Sequence, residues 1–359
     1  MELIKEALTF DDVLLAPRYS SVLPSETNLN INLGQDLSLK VPFLSSAMDT
    51  VTESNMAIAI AQKGGLGIIH RNLSIDEQVK EIKKVKSKKL IVGAAVGTTN
   101  EDLIRAKSLL DAGVDLIVVD TAHGHSEKVI NILSKIKKIA SKIPICVGNI
   151  ATSEAALKLY NEGADILKVG IGPGSICTTR MIAGIGVPQI TAVMDVKKSM
   201  KNKKIKIISD GGIKFSGDII KGLAAGADAI MMGSIFAGTN ESPGKKFKFK
   251  KKFYKSYRGM GSIGAMSAGS SNRYFQKNHK DKSKFVPEGV EARVEYKGSV
   301  DEILYQLQGG LRSSMGYIGA KMIKEIQKKA RFLKITKAGF YESMVHSVET
   351  IKERTNYKL

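Results

Sequence analysis

Short apolar runs alternate with longer amphipathic stretches along most of the chain. Eight runs, most of them rich in valine and isoleucine, predict β-strands at residues 42–47, 65–69, 90–96, 115–120, 143–148, 165–170, 205–210 and 228–233. Their apolar residues are continuous rather than alternating, which is typical of parallel strands buried on both faces. The stretches between them predict helices at residues 54–63, 74–85, 100–112, 126–141, 153–162, 188–200 and 216–225.

Three of the predicted helices end in one repeated phrase, in which a glycine precedes the next strand. The phrases are Ala112-Gly113-Val114-Asp115, Glu162-Gly163-Ala164-Asp165 and Ala225-Gly226-Ala227-Asp228. Glycine at this point ends a helix and lets the backbone turn towards a sheet. A repeated βα unit with eight strands within residues 42–244 predicts the α/β class and, within it, a (β/α)₈ barrel. A doubly wound open sheet is the alternative fold.

We expect residues 1–359 to form one catalytic barrel domain that carries an insertion and a tail. Residues 240–297 follow the eighth strand and are basic and rich in glycine, serine and lysine, with only short apolar patches. A segment of this length outside regular structure is usually functional or mobile. Residues 300–330 look helical, and the tail at residues 331–359 is expected to dock against the barrel or a neighbouring subunit.

The composition is that of an ordinary soluble protein, with 43% hydrophobic and 25% charged residues. No stretch approaches the ~18 unbroken apolar residues of a membrane span, and the N-terminus lacks the basic-then-apolar pattern of a signal peptide. The two cysteines, Cys146 and Cys177, are too few for a disulfide scaffold, which favours a cytoplasmic location. Cys146 lies within an apolar strand and is predicted to pack in the core.

The formal net charge of +20 raises nucleic-acid binding as an alternative function. Residues 245–255 interleave lysines with aromatic residues, a pattern that can hold phosphates and stack bases. Most other lysines are scattered over the predicted helices, where they are expected to form solvated faces. We therefore do not expect nucleic acid to be the main partner, and the same positive field favours a small anionic substrate.

Polar and glycine residues concentrate just after the predicted strands, positions that meet on the catalytic face of a barrel. The most distinctive run, residues 168–180, contains glycines at positions 170, 172 and 174 and then Cys177. Glycines at this density let a backbone turn tightly and approach a ligand. From these residues alone, Cys177 is either an accessible nucleophile or an inert thiol in a glycine turn.

Two further loops, residues 209–213 and 232–234, suit a phosphate group because they offer glycine amides and a serine hydroxyl. Ser175 can reach the same phosphate, and Asp210 suits the paired hydroxyls of a ribose. A mononucleotide fits this set, and a bare sugar phosphate fits it almost as well.

A second ligand is expected beside the strand that ends at Asp120, whose carboxylate also suits ribose hydroxyls. His123 and His125 follow it at a spacing that metal ligands use, but no third ligand stands at a convincing distance along the sequence. We therefore predict a polar rim rather than a metal centre at the two histidines.

Longer motifs then relate the chain to a known family. They stand in the family's order at residues 8–15, 45–53, 170–180, 257–262, 273–275 and 286–289. On these motifs the chain resembles the IMP dehydrogenase family, whose members oxidise inosine 5′-monophosphate (IMP) to xanthosine 5′-monophosphate (XMP) with NAD⁺. The resemblance implies that Cys177 attacks C2 of the purine and that residues 240–297 form a mobile flap at the active site. It also implies that Arg273 and Tyr274 of this flap activate water, and that Thr179 and Glu288 form a second water-activating pair.

The same resemblance implies three ligand sites. Residues expected to hold IMP are Ser46, Met48, Asn149, Ser175, Asp210, Gly212, Gly233, Ser234, Tyr257, Gly259, Met260, Gly261 and Glu288. Residues expected to line the NAD site are Asp120, Thr121, Ala122 and Gly170. Carbonyl oxygens of Gly172, Gly174 and Cys177 are expected to bind a potassium ion, with Glu342, Ser343 and Met344 of a neighbouring subunit completing the site in a homotetramer.

The chain departs from the family pattern at two places. Met344 stands where the family usually has histidine, although main-chain oxygens can still bind a cation there. Most members also insert a pair of regulatory domains of the cystathionine-β-synthase (CBS) type after the second helix, and residues 85–90 leave no room for them. Regulation through that pair is therefore not expected. The GMP reductase family, which lacks the insert and reduces GMP with NADPH, is the alternative resemblance.

Overall fold

The computed structural model describes residues 6–276 and 281–347. An N-terminal segment precedes the barrel. It contains 3₁₀ turns at Phe10–Asp12 and Pro24–Glu26 and three short strands, β1 (Val13–Leu15), β2 (Ile31–Asn32) and β3 (Ser38–Leu39). Strands β2 and β3 pair with each other, and Leu33, Leu37 and Leu39 join the apolar cluster inside the barrel. This segment therefore fills part of the barrel's interior.

Eight parallel strands close into a barrel, as the sequence predicts. They are β4 (Phe43–Ser45), β5 (Leu66–Ile69), β6 (Gly93–Val96), β7 (Leu116–Asp120), β8 (Ile145–Ile150), β9 (Ile166–Val169), β10 (Lys206–Asp210) and β11 (Ala229–Met232). Each strand pairs with its neighbours in chain order, and β11 pairs with β4 to complete the circle. The closed barrel is confirmed, and the open sheet is excluded.

All seven predicted helices are confirmed, and two very short ones follow strands β9 and β11. The helices are α1 (Ser54–Gln62), α2 (Ile75–Lys86), α3 (Asn100–Asp111), α4 (Glu127–Ile139), α5 (Ser153–Asn161), α6 (Thr179–Ile182), α7 (Gln189–Ser199), α8 (Ser216–Ala225) and α9 (Ser234–Ala237). Local capping explains several of the starts. Ser74, for example, accepts a hydrogen bond from the Glu77 amide while the Glu77 carboxylate accepts from the Ser74 amide.

The insertion after α9 has more regular structure than its composition predicts. Strands β12 (Lys246–Phe249), β13 (Lys252–Arg258) and β14 (Glu291–Glu295) form an antiparallel sheet, and helix α10 (Ile263–Ser267) and 3₁₀ turns at Ser270–Tyr274 and Lys282–Lys284 lie between β13 and β14. Strand β12 is largely exposed, whereas β13 is exposed only at its start and is buried or half-buried from Tyr254 onwards. The expectation of a segment outside regular structure is therefore wrong for these strands, and mobility stays a prediction.

The chain after the insertion completes the helical layer around the barrel. Helix α11 (Val300–Ile318) packs against α8 and α1, so it takes the place of the eighth barrel helix. It ends at Gly319, whose φ of 69° is accessible to glycine without strain. Helix α12 (Ile323–Lys329), strand β15 (Phe332–Lys334) and helix α13 (Lys337–Glu342) follow, and β15 pairs with β1. The described part of the tail thus docks against the chain's own N-terminal segment, and residues 348–359 lie outside the described residues.

Cys146 packs inside the barrel, as predicted. Its side chain is fully buried in the cluster that contains Leu116, Val118 and Ile166. Burial raises the pKa of the Cys146 thiol to about 12, so the group behaves as a small apolar side chain. Among residues 6–276 and 281–347, no helix has the length and apolar character needed to cross a membrane.

Candidate active site

A cleft opens at the carboxyl ends of the barrel strands, beneath the insertion. Most of the residues predicted to bind IMP, NAD or a potassium ion or to act in catalysis line it together. Those are Ser46, Met48, Asp120, Asn149, Gly170, Gly172, Gly174, Ser175, Cys177, Asp210, Gly212, Gly233, Ser234, Tyr257, Gly259, Met260, Arg273, Tyr274 and Glu288. They come from six strand ends, the loop after β9 and the insertion, so the barrel converts distant stretches of sequence into one site.

Cys177 lies in this cleft and is neither buried in the core nor paired in a disulfide. Its Sγ atom lies 3.2 Å from the Thr179 hydroxyl oxygen, and its amide donates to the Gly174 carbonyl at 3.1 Å. An accessible thiol beside a hydroxyl can act as a nucleophile with a proton-transfer partner. Of the two interpretations of this loop, the geometry favours the accessible nucleophile.

Backbone hydrogen bonds attach the cysteine loop to the insertion. The Thr178 amide donates to the Glu288 carbonyl at 3.0 Å, and the Val290 amide donates to the Ile176 carbonyl at 3.1 Å. The residues just before β14 therefore pair with the cysteine loop through the backbone, and Cys177 and Gly289 form an isolated antiparallel β-bridge. This pairing brings Glu288 to the cleft, more than a hundred positions away from Thr179 in the sequence.

Arg180 holds the other side of the loop in place. Its guanidinium donates to the Val187 carbonyl at 2.7 Å and to the Ile171 carbonyl at 3.3 Å. Gly172 has a φ of 80°, and a Cβ atom there would lie 2.6 Å from the Arg180 Cγ atom. Glycine at position 172 is therefore required both by the backbone conformation and by the packing of Arg180.

One end of the cleft is suited to a phosphate group. Ser175, Gly212, Gly233, Ser234 and Tyr257 lie there together. A Cβ atom at Gly233 would lie 3.2 Å from the Tyr257 hydroxyl oxygen, so this backbone approaches the phenol closely. Burial raises the pKa of Tyr257 to about 12. The phenol thus keeps its proton near neutral pH and can donate it in a hydrogen bond to an anion.

The floor of the cleft contains a buried lysine whose role the sequence did not predict. The Lys168 ammonium lies 2.9 Å from Asp120 Oδ1 and 2.8 Å from Asp210 Oδ2, and it also donates to the Asn149 side-chain oxygen. The Asn149 amide in turn donates to Asp210 at 3.0 Å. The available signal was a single lysine inside an otherwise apolar strand that leads into the glycine loop.

The insertion covers the residues expected to bind NAD. The Arg273 guanidinium forms an ion pair with Asp120, and the Ala122 amide donates to the Arg273 carbonyl at 3.0 Å. The Thr121 hydroxyl donates to the Gly148 carbonyl at 2.8 Å, so it helps to join β7 to β8. Asp120 faces the cleft, whereas Thr121 and Ala122 do not line it.

Burial also shifts the pKa values of Arg273 and Tyr274. Desolvation lowers the pKa of Arg273 and raises the pKa of Tyr274, and both side chains lie in the same cleft as Cys177. Both shifts favour the neutral form of each group. A neutral arginine side chain can accept a proton from water, and a neutral phenol can donate one in a hydrogen bond.

A second ion pair joins the insertion to the barrel. The Arg258 guanidinium contacts both carboxylate oxygens of Asp49, with the shortest distance of 2.7 Å to Oδ2. The hydrogen bond to Asp49 raises the pKa of Arg258. Asp49 also accepts from the Asn72 amide at 2.8 Å. The sequence motifs contained Asp49 and Arg258 but gave no indication that they pair.

The remaining predicted residues lie at different places. Thr179 contacts the Cys177 thiol, and a Cβ atom at Gly261 would lie 2.7 Å from Tyr274. Both residues therefore adjoin side chains of the cleft without lining it themselves. Glu342, Ser343 and Met344 lie at the end of α13, next to the 3₁₀ turn at Phe10–Asp12 and outside the cleft of this chain.

Among the residues that the structure describes, His123 and His125 belong to no cluster that could hold a metal ion. Within the described ranges, no group of three or more His, Cys, Asp and Glu side chains could hold a metal ion. The rings of His123 and His125 lie edge to face with centroids 6.3 Å apart. Burial, followed by the neighbouring His125, lowers the pKa of His123.

The lysine-rich run forms the hairpin of β12 and β13. Lys246, Phe253 and Tyr296 make a cation–π cluster on it, with the Lys246 ammonium 3.5 Å from the centre of the Tyr296 ring. Lys255 is buried and donates to the Thr239 carbonyl at 2.8 Å. Part of the run therefore has a structural role within the chain.

Comparison with known proteins agrees with this site. The family model described as "IMP dehydrogenase / GMP reductase domain" matches residues 7–346. The chain belongs to this family. The Cys177 loop and the phosphate-suited loops that meet in the cleft lie within the matched residues.

Individual relatives cover nearly the whole chain. Proteins named inosine-5′-monophosphate dehydrogenase from Borreliella burgdorferi and Cryptosporidium parvum are each 48% identical to it, over at least 98% of both chains. The protein of that name from Aquifex aeolicus is 41% identical, over 99% of this chain and 98% of its own length.

This member of the family is a short form. The alignment with the Aquifex relative extends over 483 positions, whereas this chain has 359 residues. Helix α2 ends at Lys86 and β6 begins at Gly93, so the position where other members carry CBS-type domains is a short connection. The short connection is consistent with the expectation that the regulatory pair is absent.

Proposed function

We propose that this chain is an IMP dehydrogenase, which converts IMP, NAD⁺ and water to XMP, NADH and a proton. The observation that carries the proposal is that Cys177 lies in one cleft with a phosphate-suited end and with Arg273, Tyr274 and Glu288 of the insertion. The identity to relatives of that name supports the same reaction.

The substrate would lie along the cleft with its phosphate among Ser175, Gly212, Gly233, Ser234 and Tyr257. The neutral Tyr257 phenol and the backbone amides are suitable donors for phosphate oxygens. Asp210 would accept hydrogen bonds from the ribose hydroxyls. These contacts would direct the purine ring towards Cys177.

The chemistry would occur in two stages at Cys177. In the first, the thiolate forms a bond to C2 of the purine, and a hydride with its electron pair leaves C2 for the nicotinamide ring of NAD⁺. In the second, a water oxygen attacks C2, the carbon–sulfur bond breaks and the thiolate is restored. The water gives up its protons to Arg273 or, through the second pair, to Thr179 and Glu288.

The insertion would act in the second stage by replacing the dinucleotide. Arg273 pairs with Asp120, and its carbonyl accepts from Ala122, which are two of the residues expected to line the NAD site. The same surface cannot serve both at once because the contacts overlap. We therefore place NAD⁺ and Arg273 at Asp120 in turn, with hydride transfer first and hydrolysis afterwards.

A potassium ion, a tetramer and a cytoplasmic location belong to the same proposal. Gly172, Gly174 and Cys177 offer carbonyl oxygens from one loop at the cleft, and a hard cation prefers oxygen ligands. The ion would orient the cysteine loop, and a neighbour's Glu342, Ser343 and Met344 would supply its remaining ligands. The reaction also needs Cys177 as a free thiol, which suits a reducing compartment.

GMP reductase is the second candidate, because the matched family description includes it. The position of Arg273 and Tyr274 in the cleft favours the dehydrogenase, since hydrolysis of a cysteine adduct needs groups that activate water. The test is incubation of the purified protein with IMP, NAD⁺ and a potassium salt. Formation of NADH and XMP supports the proposal. No NADH from IMP, together with consumption of NADPH in the presence of GMP, overturns it in favour of the reductase.

A further inference from the structure

Lys168 is a charged side chain in a place where charge is costly. It belongs to β9 in the wall of the barrel, and its side chain is only 3% exposed. An unpaired ammonium at this depth would be strongly destabilising. Its partners must therefore offset the cost of burying the ammonium.

The partners satisfy the ammonium completely. Its three N–H groups meet three acceptors, Asp120 on β7, Asn149 on β8 and Asp210 on β10. These strands surround β9 on both sides, so the lysine connects the strand ends across the floor of the cleft. A lysine suits this position because three donors radiate from one nitrogen atom.

The two carboxylates serve different parts of the site. Asp210 lies at the start of the loop that contains Gly212, on the phosphate side of the cleft. Asp120 lies on the side where Arg273 docks and where NAD⁺ is expected. Lys168 is the side chain that contacts both, and the contacts form one continuous series from Arg273 through Asp120 and Lys168 to Asp210.

The charges in this series balance. Two cations, Arg273 and Lys168, alternate with two carboxylates, Asp120 and Asp210. Removal of Arg273 from Asp120, as NAD⁺ binding would require, leaves the Lys168 ammonium shared by two carboxylates. Asp120 and Asp210 compete for this one ammonium. The strength of the contact between Lys168 and Asp210 therefore depends on which other group is paired with Asp120.

We infer that Lys168 is a positioning residue that couples the nucleotide half of the cleft to the docking site of Arg273. This inference rests on the proposed function, since it assigns Asp210 to the nucleotide and Asp120 to the dinucleotide and the flap. It predicts that a change at Asp120, which is not expected to touch IMP, alters the affinity for IMP through Lys168.

The test is a thermodynamic cycle of IMP binding without NAD⁺, so that no reaction occurs. IMP affinity is measured by calorimetry for the unmodified protein, Asp120→Asn, Lys168→Met and the double variant. Lys168→Met should weaken IMP binding about tenfold or more, because Asp210 loses a charge-assisted partner. Asp120→Asn should strengthen it about threefold when Lys168 is present, since the ammonium then contacts Asp210 alone, and should have no effect in the Lys168→Met background.

Lys255→Met is the matched control. Lys255 is also a buried lysine that donates to backbone carbonyls, but it lies between the insertion and α9, outside the cleft. Its replacement should lower thermal stability while leaving IMP affinity and the effect of Asp120→Asn unchanged. A loss of coupling in this control would show that the effect is a general consequence of destabilisation and would overturn the inference.

A second variant keeps the test decisive if Lys168→Met does not fold. Lys168→Gln retains a hydrogen-bond donor without the charge, and the same loss of coupling is expected. If Asp120→Asn affects IMP affinity equally with lysine, methionine or glutamine at position 168, Lys168 does not couple the two halves. Failure of the proposed function is distinguishable, because the unmodified protein would then form no NADH from IMP and NAD⁺, whatever the binding cycle shows.

Discussion

Arg273 of the insertion forms an ion pair with Asp120 at the end of β7, so the insertion is bound to the side of the cleft where the dinucleotide is expected. Both side chains are largely buried, at 12% and 5% exposure. Replacing this contact by a dinucleotide requires Arg273 to leave Asp120. The contact therefore separates the two stages of the proposed reaction in time.

Loss of Arg273 should slow hydrolysis much more than hydride transfer. Arg273→Ala leaves Cys177 and the phosphate-suited end intact, so the first stage proceeds and the cysteine adduct accumulates. A rapid burst of NADH followed by a slow steady state is the expected result in stopped-flow measurements. Arg293→Ala, at an exposed arginine of the same insertion, should retain the normal steady-state rate. If Arg273→Ala lowered the rate of the NADH burst and the steady-state rate by the same factor, the assignment of Arg273 to hydrolysis would be contradicted.

Cys177 should be the residue that becomes covalently modified. Cys177→Ala should lower turnover by at least about 10⁴-fold, while IMP affinity stays within about threefold, because the thiol acts in bond formation rather than in binding. Mass spectrometry after acid trapping with IMP and NAD⁺ should find the adduct on Cys177. Cys146→Ala serves as the control and should retain turnover, since Cys146 is buried outside the cleft. An adduct on another residue would refute the covalent route.

Tyr257 should contribute to recognition of the phosphate. Tyr257→Phe removes one neutral hydrogen-bond donor, so IMP affinity should fall about tenfold. Inosine, which lacks the phosphate, should bind both proteins equally. Tyr254→Phe provides a matched change on the same strand, at a half-buried phenol that stacks on Phe247. Equal losses for IMP and inosine would assign Tyr257 to another part of the nucleotide.

Alkaline conditions should destabilise the fold through Cys146. Burial raises the pKa of its thiol from 9.0 to about 12, so the folded chain retains a proton that the unfolded chain loses. This contribution to stability is complete below pH 9 and declines by about 1.4 kcal/mol per pH unit as the pH rises to about 12. Urea unfolding of Cys146→Ala should show a smaller decline over that window. An identical decline in both proteins would show that other groups cause it.

The local pattern determined most of the architecture. Continuous apolar runs, capping residues such as Ser74 and the repeated helix-ending glycines act within a few positions of themselves, so they predict strands and helices without knowledge of the rest of the chain. Because the carboxyl ends of parallel strands must meet at one face, the order of the elements also predicted that Cys177 and Asp210 would lie near each other.

The tertiary structure decided which charges pair and how the insertion meets the barrel. Lys168 lies 48 positions from Asp120 and 42 from Asp210, and no local rule relates them. Likewise, the docking of Arg273 on Asp120 and the placement of α11 as the eighth barrel helix depend on contacts between distant segments. A buried charge is stable only beside its partner, and burial itself is a property of the folded chain, so these relationships exist only once the barrel has closed.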